Sequence, residues 1–243
     1  MNEMTNFMLL KEQMKEIKPI TMPGTHQRFL EFFKKQHERI SLKVLDIGAG
    51  HGAFSQKLYD MGYDVYACDL FPELFQFDKI ICTQVDITKH FPYNDNTFDL
   101  LIAIEVSEHI TDHENFFSEA GRILKPGGKL YITTPNILTL KSRIRFLLSG
   151  FFLAFNPLQL NNYDGLQHVS SLTLDQYNYI AVRNRFNTAE LAIDREQKTS
   201  RFWYFLLYPL IWIYPRIKKI SKFHNQRKLL LGRLLFLTFR NYK

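Results

Sequence analysis

The residues best suited to chemistry stand together at Val44-Leu45-Asp46-Ile47-Gly48-Ala49-Gly50-His51-Gly52, where an apolar run passes straight into three alternate glycines. Glycine lets the backbone turn sharply and approach a ligand closely, and a following helix presents unpaired N–H groups. Gly48, Ala49, Gly50 and Gly52 are therefore expected to cradle something planar or charged, with His51 as a wall. Three acids refine the ligand. Asp46, at the end of the first run, can receive an ammonium group directly or through water. Asp69, ending the second, can accept from both hydroxyls of one ribose. Asp86 and Ile87, ending the third, can take an adenine amine and cover its ring.

The same loop satisfies G-x-G-x-x-A through Ala53, with Asp69 about where a dinucleotide site keeps its ribose acid. The glycines alone do not separate the two ligands. Asp46 does, because a dinucleotide has no ammonium to receive, whereas a nucleoside joined to a methionine moiety has one. For the acceptor side, His109 and His168 are the candidate general bases, since neutral imidazole near pH 7 suits proton removal. Glu105, Glu108 and His109 form an alternative set able to hold a divalent ion; the reading adopted assigns no metal. Plain structural readings stand beside these: Asp69 and Asp86 as caps, the carboxylates after the fourth run as caps of the next helix, the histidines as core residues.

Short apolar runs separated by helical stretches imply that βαβ units position these residues. The runs Lys43–Ile47, Asp64–Cys68, Lys79–Gln84, Phe98–Ile104 and Lys129–Thr134 predict a parallel sheet. Helices are predicted over Ala53–Met61, Glu114–Leu124 and Leu174–Phe186, with a short segment at Phe71–Phe77 and a basic amphipathic stretch at Leu140–Phe155. The first forty residues read as a helical segment, and 41–243 as the catalytic unit with insertions at about 140–170 and 200–227. Turn chemistry agrees at Pro92–Asn96 and at Lys125-Pro126-Gly127-Gly128.

Val44–Gly52, Tyr66–Leu70, Asp86-Ile87, Phe98–Ile110 and Leu124–Asn136 together resemble the successive motifs of class I S-adenosylmethionine methyltransferases, over roughly residues 40–136. The resemblance implies an α/β, doubly wound, mostly parallel seven-stranded sheet of order 3-2-1-4-5-7-6, the seventh strand antiparallel and helices on both faces. Thr188–Asp194 and Leu229–Phe239 would supply the last two strands, the latter bending at Gly232. It also implies S-adenosyl-L-methionine as cofactor and adds Leu70, Ile104 and Glu105 to its site. Glu105-Val106-Ser107-Glu108-His109 resembles ubiquinone-biosynthesis O-methyltransferases. Leu124–Asn136, followed by a basic amphipathic segment and Gln167-His168-Val169, is similar to small bacterial methyltransferases of polysaccharide and lipid-linked glycan synthesis.

Charge is unevenly placed. Residues 1–135 carry 14 Lys and Arg against 19 Asp and Glu, while 136–243 carry 17 against 5. The cationic part holds the aromatic run Phe202–Tyr214, thirteen residues interrupted by Pro209 and well short of the roughly 20 needed to span a bilayer. Basic and aromatic together fit an anionic membrane surface, with peripheral contact expected through 202–222. Cys68 and Cys82 imply neither a disulfide framework nor a zinc site, and no signal-peptide pattern stands at the N-terminus, so a cytoplasmic, membrane-associated place is expected. The resulting expectation is O-methylation of a glycan, lipid-linked or quinone-like acceptor at the membrane surface. A nucleic-acid methyltransferase is the alternative, suggested by the basic region but lacking Asn/Asp-Pro-Pro-aromatic after the fourth run. A non-catalytic cofactor-binding protein is the third reading, against which the full set of acids argues.

Overall fold

The computed structural model describes residues 17–36, 41–162 and 164–243; the helical expectation for 1–16 and 37–40 lies outside them. The sheet has seven strands: β1 (Lys43–Ile47), β2 (Asp64–Asp69), β3 (Cys82–Gln84), β4 (Phe98–Ile104), β5 (Leu124–Pro135), β6 (Glu190–Ile193) and β7 (Leu234–Arg240). Their order is β3-β2-β1-β4-β5-β7-β6, with β1 to β5 parallel and β7 antiparallel to both its neighbours. The doubly wound α/β expectation and its strand order hold.

Alternation along the central strands divides the core between two faces. Val44, Leu100, Ile102 and Phe236 meet α1 (Thr25–Lys34) and α2 (Ala53–Asp60) through Phe29, Phe33, Phe54 and Leu58. Leu45, Ile47, Leu101, Ala103 and Ile132 meet α3 (His113–Ile123) and α5 (Leu174–Arg183) through Phe116, Phe117, Tyr177 and Ala181. Each fully buried phenylalanine stabilises this arrangement by about 2 kcal/mol relative to exposure. The same alternation puts Asp46 on the α2 face.

Several expected elements change at their ends, and the fifth strand starts at Leu124, taking in the turn predicted at Lys125–Gly128. The third strand is confined to Cys82–Gln84, since Ile81 points to solvent at 88% exposure. Helix α4 spans Leu140–Ser149 and stops where Gly150 takes a left-handed conformation, φ 72°. The predicted strand over Leu229–Phe239 begins instead as a short helix, α7 (Arg227–Leu231). Its leucines are all buried, and the strand starts beyond Gly232, where a Cβ would meet Ile193 Cγ2 at 2.4 Å. Periodicity does not separate a buried strand from a buried helical turn in so short an apolar run.

The aromatic run belongs to a longer element than its thirteen residues indicate. Helix α6 spans Lys198–Ile217, 20 residues that continue through Pro209 and Pro215. It packs beside α4 through a small cluster in which Trp203, Tyr204 and Ile211 meet Leu140, Leu230 and Leu231. The rest of its surface is open, including Phe205 at 87% and Trp212 at 49% exposure. No helix among the described residues is long and apolar enough to cross a membrane.

Candidate functional site

A cavity of about 1180 Å³ opens at the carboxyl ends of β1, β2 and β4 and runs beyond β5 toward the start of α6. This is where open α/β sheets bind ligands, beside the switch in strand order between β1 and β4. Its size exceeds the roughly 300–1,000 Å³ of usual small-molecule sites, so there is room for two ligands. All the expected cofactor residues except the fully enclosed Gly52 line it directly: Asp46, Gly48, Ala49, Gly50, Asp69, Leu70, Asp86, Ile87, Ile104 and Glu105.

The glycine loop is built for close approach. Gly48, Gly50 and Gly52 have φ of 67°, 53° and 84°. A Cβ on Gly48 would fall 2.5 Å from Val106 Cγ2, on Gly50 2.9 Å from Ile20 Cδ1, and on Gly52 2.7 Å from Phe75 Cε2. Both the conformation and the space therefore demand glycine. Asp69 holds the loop from the neighbouring strand: Oδ2 accepts from Gly50 N at 2.8 Å and Oδ1 from Phe71 N at 2.9 Å. Each oxygen keeps a lone pair, enough for one hydroxyl apiece. His51 stands at the rim, its Nδ1 3.1 Å from Lys18 O.

Asp46 is buried, and Ser55 on α2 donates its hydroxyl to Oδ2 at 2.6 Å. Burial, opposed by that bond and helped by the Asp69 charge, pushes its carboxyl up to about 7. Such a group is primed to ionise when a cation is brought against it. Asp86 lies lower in the carboxylate range, chiefly because Thr88 donates its hydroxyl to Oδ1 at 2.6 Å, with Lys89 at 3.0 Å from Oδ2. It thus caps its own turn while lining the cavity, so the capping and ligand readings coexist.

Both candidate bases come to one place. The 3₁₀ turn Ser107–His109 is held by the Ser107 and Tyr177 hydroxyls, 2.8 Å apart, and by His113 Nε2, 2.9 Å from Ser107 O. Val169 N and Ser170 N donate to Glu108 O at 2.9 and 3.1 Å, laying the 167–170 strip over this turn. The His109 and His168 rings then meet edge to face, centroids 4.9 Å apart. His109 Nδ1 donates to Gln167 O at 3.0 Å, leaving Nε2 as the basic nitrogen. Burial lowers the basicity of both, and in His168 the neighbouring His109 lowers it further.

Glu108 is buried beside the histidines. One oxygen accepts from Thr134 Oγ1 at 3.2 Å; the other has no partner, and neither has His168 Nδ1. Burial raises the Glu108 carboxyl to about 8. Glu108, His109 and His168 each offer a ligand atom within 4.8 Å of the others. The acid–acid–imidazole set read from sequence is thereby rearranged: His168 takes the place of Glu105. Glu105 instead adopts φ 52° and turns toward Arg233, with burial raising its carboxyl.

Ser55, Ile20 and Met22 escaped the sequence reading, as did Lys141, Arg195 and Lys198 in the cavity wall. Ser55 had a signal in retrospect, lying on the helix that follows the glycine loop and facing the strand. Nothing local links 141 to 195–198, which long-range packing brings together.

Residues 45–132 match a family described as a methyltransferase domain. The chain is 31% identical over 119 residues to a ubiquinone biosynthesis O-methyltransferase of Xanthomonas euvesicatoria, covering 44% of this chain and 48% of that one. It is 28% identical over 151 residues to the human mitochondrial ubiquinone biosynthesis O-methyltransferase, covering 56% and 40%. The chain thus spans about half the length of these curated relatives. Among solved structures, a SAM-dependent methyltransferase from Archaeoglobus fulgidus superposes with TM-score 0.58 at 16% identity, covering 89% of this chain and 92% of that one. Haemonchus contortus phosphoethanolamine N-methyltransferase 2, solved with S-adenosyl-L-methionine, gives 0.55 at 19% identity, covering 89% and 52%. With the strand order, these likenesses show the class I methyltransferase fold.

Proposed function

We propose that the protein moves a methyl group from S-adenosyl-L-methionine to an oxygen of a glycan, lipid-linked or quinone-like acceptor at a membrane surface. The observation that carries the reading is the glycine cradle strapped by Asp69, with Asp46 buried beneath it. These residues fit the cofactor: Gly48, Ala49 and Gly50 line the cavity with backbone, Asp69 retains acceptors for ribose hydroxyls, Asp86 and Ile87 flank an adenine position, and Asp46 balances an amino group. Leu70, Ile104, Glu105, Gly48, Ala49, Gly50 and Gly52 complete the enclosure.

When bound, the cofactor supplies a sulfonium-activated methyl group. The chain's own task is alignment of the acceptor and removal of its proton. Gln167 O fixes the His109 tautomer with Nε2 as the basic nitrogen, and the buried His168 Nδ1 has no partner. A divalent ion on Glu108, His109 and His168 is a second reading, favoured by the convergence of their ligand atoms. Its check is turnover after chelation: loss restored by added magnesium or zinc supports the ion, and unchanged turnover removes it. The membrane side of the proposal is supported by α6, whose exposed aromatics stand among Arg201, Arg216, Lys218, Lys219 and Lys222.

The deciding experiment is isothermal titration of the purified protein with S-adenosylmethionine and, separately, with a nicotinamide dinucleotide. Micromolar binding of the first alone is expected. Binding of the dinucleotide in its place would overturn the reading.

A further inference from the structure

The cavity has two ends of opposite charge. The acids Asp46, Asp69, Asp86, Glu105 and Glu108 lie at or just beyond the carboxyl ends of β1 to β4, with Asp164 on the loop over them, whereas Lys141, Arg195 and Lys198, with Glu196 between the last two, line the far end, where α4 and α6 begin. The two lysines come from distant parts of the chain. Lys141 N donates to Ser200 Oγ at 3.3 Å, which sets the first turn of α4 against the first turn of α6 and brings Lys141 and Lys198 to one wall. Neither lysine forms an ion pair among the described residues. Arg195 is nearly as free: it lies 3.9 Å from Asp194, but Asp194 is already held by Arg233 at 2.6 Å. The acid beside them, Glu196, is taken by Arg227 at 2.9 Å.

Three exposed cations converging at one end of a cavity, two of them without an ion pair among the described residues, attract a multiply charged anion. Leu153, whose N donates to Ser142 Oγ beside Lys141, and Ala154, which meets His168, give the wall between the cations and the histidine pair an apolar stretch. Farther along α4, two turns beyond Lys141, Leu147 and Leu148 are exposed at 81% and 80%. A ligand matching this sequence of surfaces carries a phosphoryl group joined to an apolar chain.

Resting on the function proposed above, we infer that Lys141, Lys198 and Arg195 form a subsite for the phosphate or diphosphate of a lipid-linked acceptor. The anionic linkage is held at the α4–α6 junction, the chain lies along the exposed end of α4, and the group to be methylated extends to His109 and His168. The subsite would exclude neutral acceptors of equal size, because their binding leaves the cations unmatched.

The test is titration of the full chain with farnesyl diphosphate, farnesol and inorganic pyrophosphate. Three proteins are compared: the natural chain, Lys141→Gln with Lys198→Gln, and a control with Lys218→Gln and Lys219→Gln on the outer surface. Farnesyl diphosphate is expected to bind at least tenfold more tightly than either farnesol or pyrophosphate. The cavity double variant should lose that preference over farnesol while its farnesol affinity stays the same; the control should keep it. Equal affinity for diphosphate and alcohol, or a preference that survives in the cavity variant or vanishes in the control, would overturn the inference. Pyrophosphate binding as tightly as the farnesyl ester would replace the lipid-linked ligand by a free anion. Titration of the same samples with S-adenosylmethionine separates the two claims, since absence of cofactor binding there would sink the functional reading and not the phosphate subsite.

Discussion

Asp69 does two things at once: it ties the glycine loop through Gly50 N and leaves a lone pair on each oxygen facing the cavity. Replacing it with alanine should weaken S-adenosylmethionine binding ten- to hundredfold, about 1.5–3 kcal/mol for lost hydrogen bonds to a charged group. Calorimetry on a variant whose thermal unfolding is intact measures this, and unchanged affinity would remove Asp69 from the site. Asp46 makes a different prediction. Because burial lifts its carboxyl to about 7, it is largely neutral at pH 6 and must ionise to meet the cofactor's ammonium. Affinity should therefore climb between pH 6 and 7.5, and Asp46→Asn should flatten that climb. A natural chain whose affinity does not change across this interval would show that cofactor binding does not change the protonation of Asp46.

At the scale of elements, α6 is the feature least explained by the sheet. Its Trp203 packs on Leu140, Leu230 and Leu231, so that tryptophan anchors the helix to the protein. Trp212 lies outside, with the Arg216 guanidinium 3.3 Å from its ring centre. An outward tryptophan beside cations suits the interface of an anionic bilayer, where rings sit at headgroup level. Exchange of Phe205 and Trp212 for serine should release the protein from vesicles of phosphatidylglycerol and phosphatidylcholine in flotation, with cofactor affinity unchanged. Equal flotation of the double variant would count against the docking of α6.

Across the whole molecule, two buried acids set the pH dependence of stability. Asp46 and Glu108 titrate at about 7 and about 8 in the fold, raised first of all by burial. A raised carboxyl contributes stability that is complete below its unfolded value and lost as pH rises through its folded value, because the unfolded chain has already released the proton. His26 acts in the opposite sense. Burial and then the Lys57 charge lower it to about 4, so its contribution is complete above 6.5 and lost as pH falls toward 4. From pH 6.5 upward only the acids among these three still act. Stability should fall by on the order of 2 kcal/mol by pH 8 and then level, each pH unit being worth about 1.4 kcal/mol per group. Urea unfolding at pH 6.5, 7.5 and 8.5 measures the fall, and Glu108→Gln should abolish most of it. A flat profile in the natural chain would mean that Glu108 is ionised in the fold.

The five parallel strands, the glycine cradle and the acids at the strand ends were legible in the amino-acid order, because each depends on local patterns, whereas the strand order came only with the family resemblance. Alternation marks a strand, glycine permits a left-handed turn, and successive βαβ units bring strand ends to one edge. Leu229–Leu231 was misread because a short buried run has the same composition in either secondary structure. The meeting of His109 with His168, the exchange of Glu105 for His168 beside Glu108, and the wall shared by Lys141 and Lys198 belong to tertiary structure alone. Each joins segments tens of residues apart through backbone bonds such as those from Val169 and Ser170 to Glu108, which no local periodicity records.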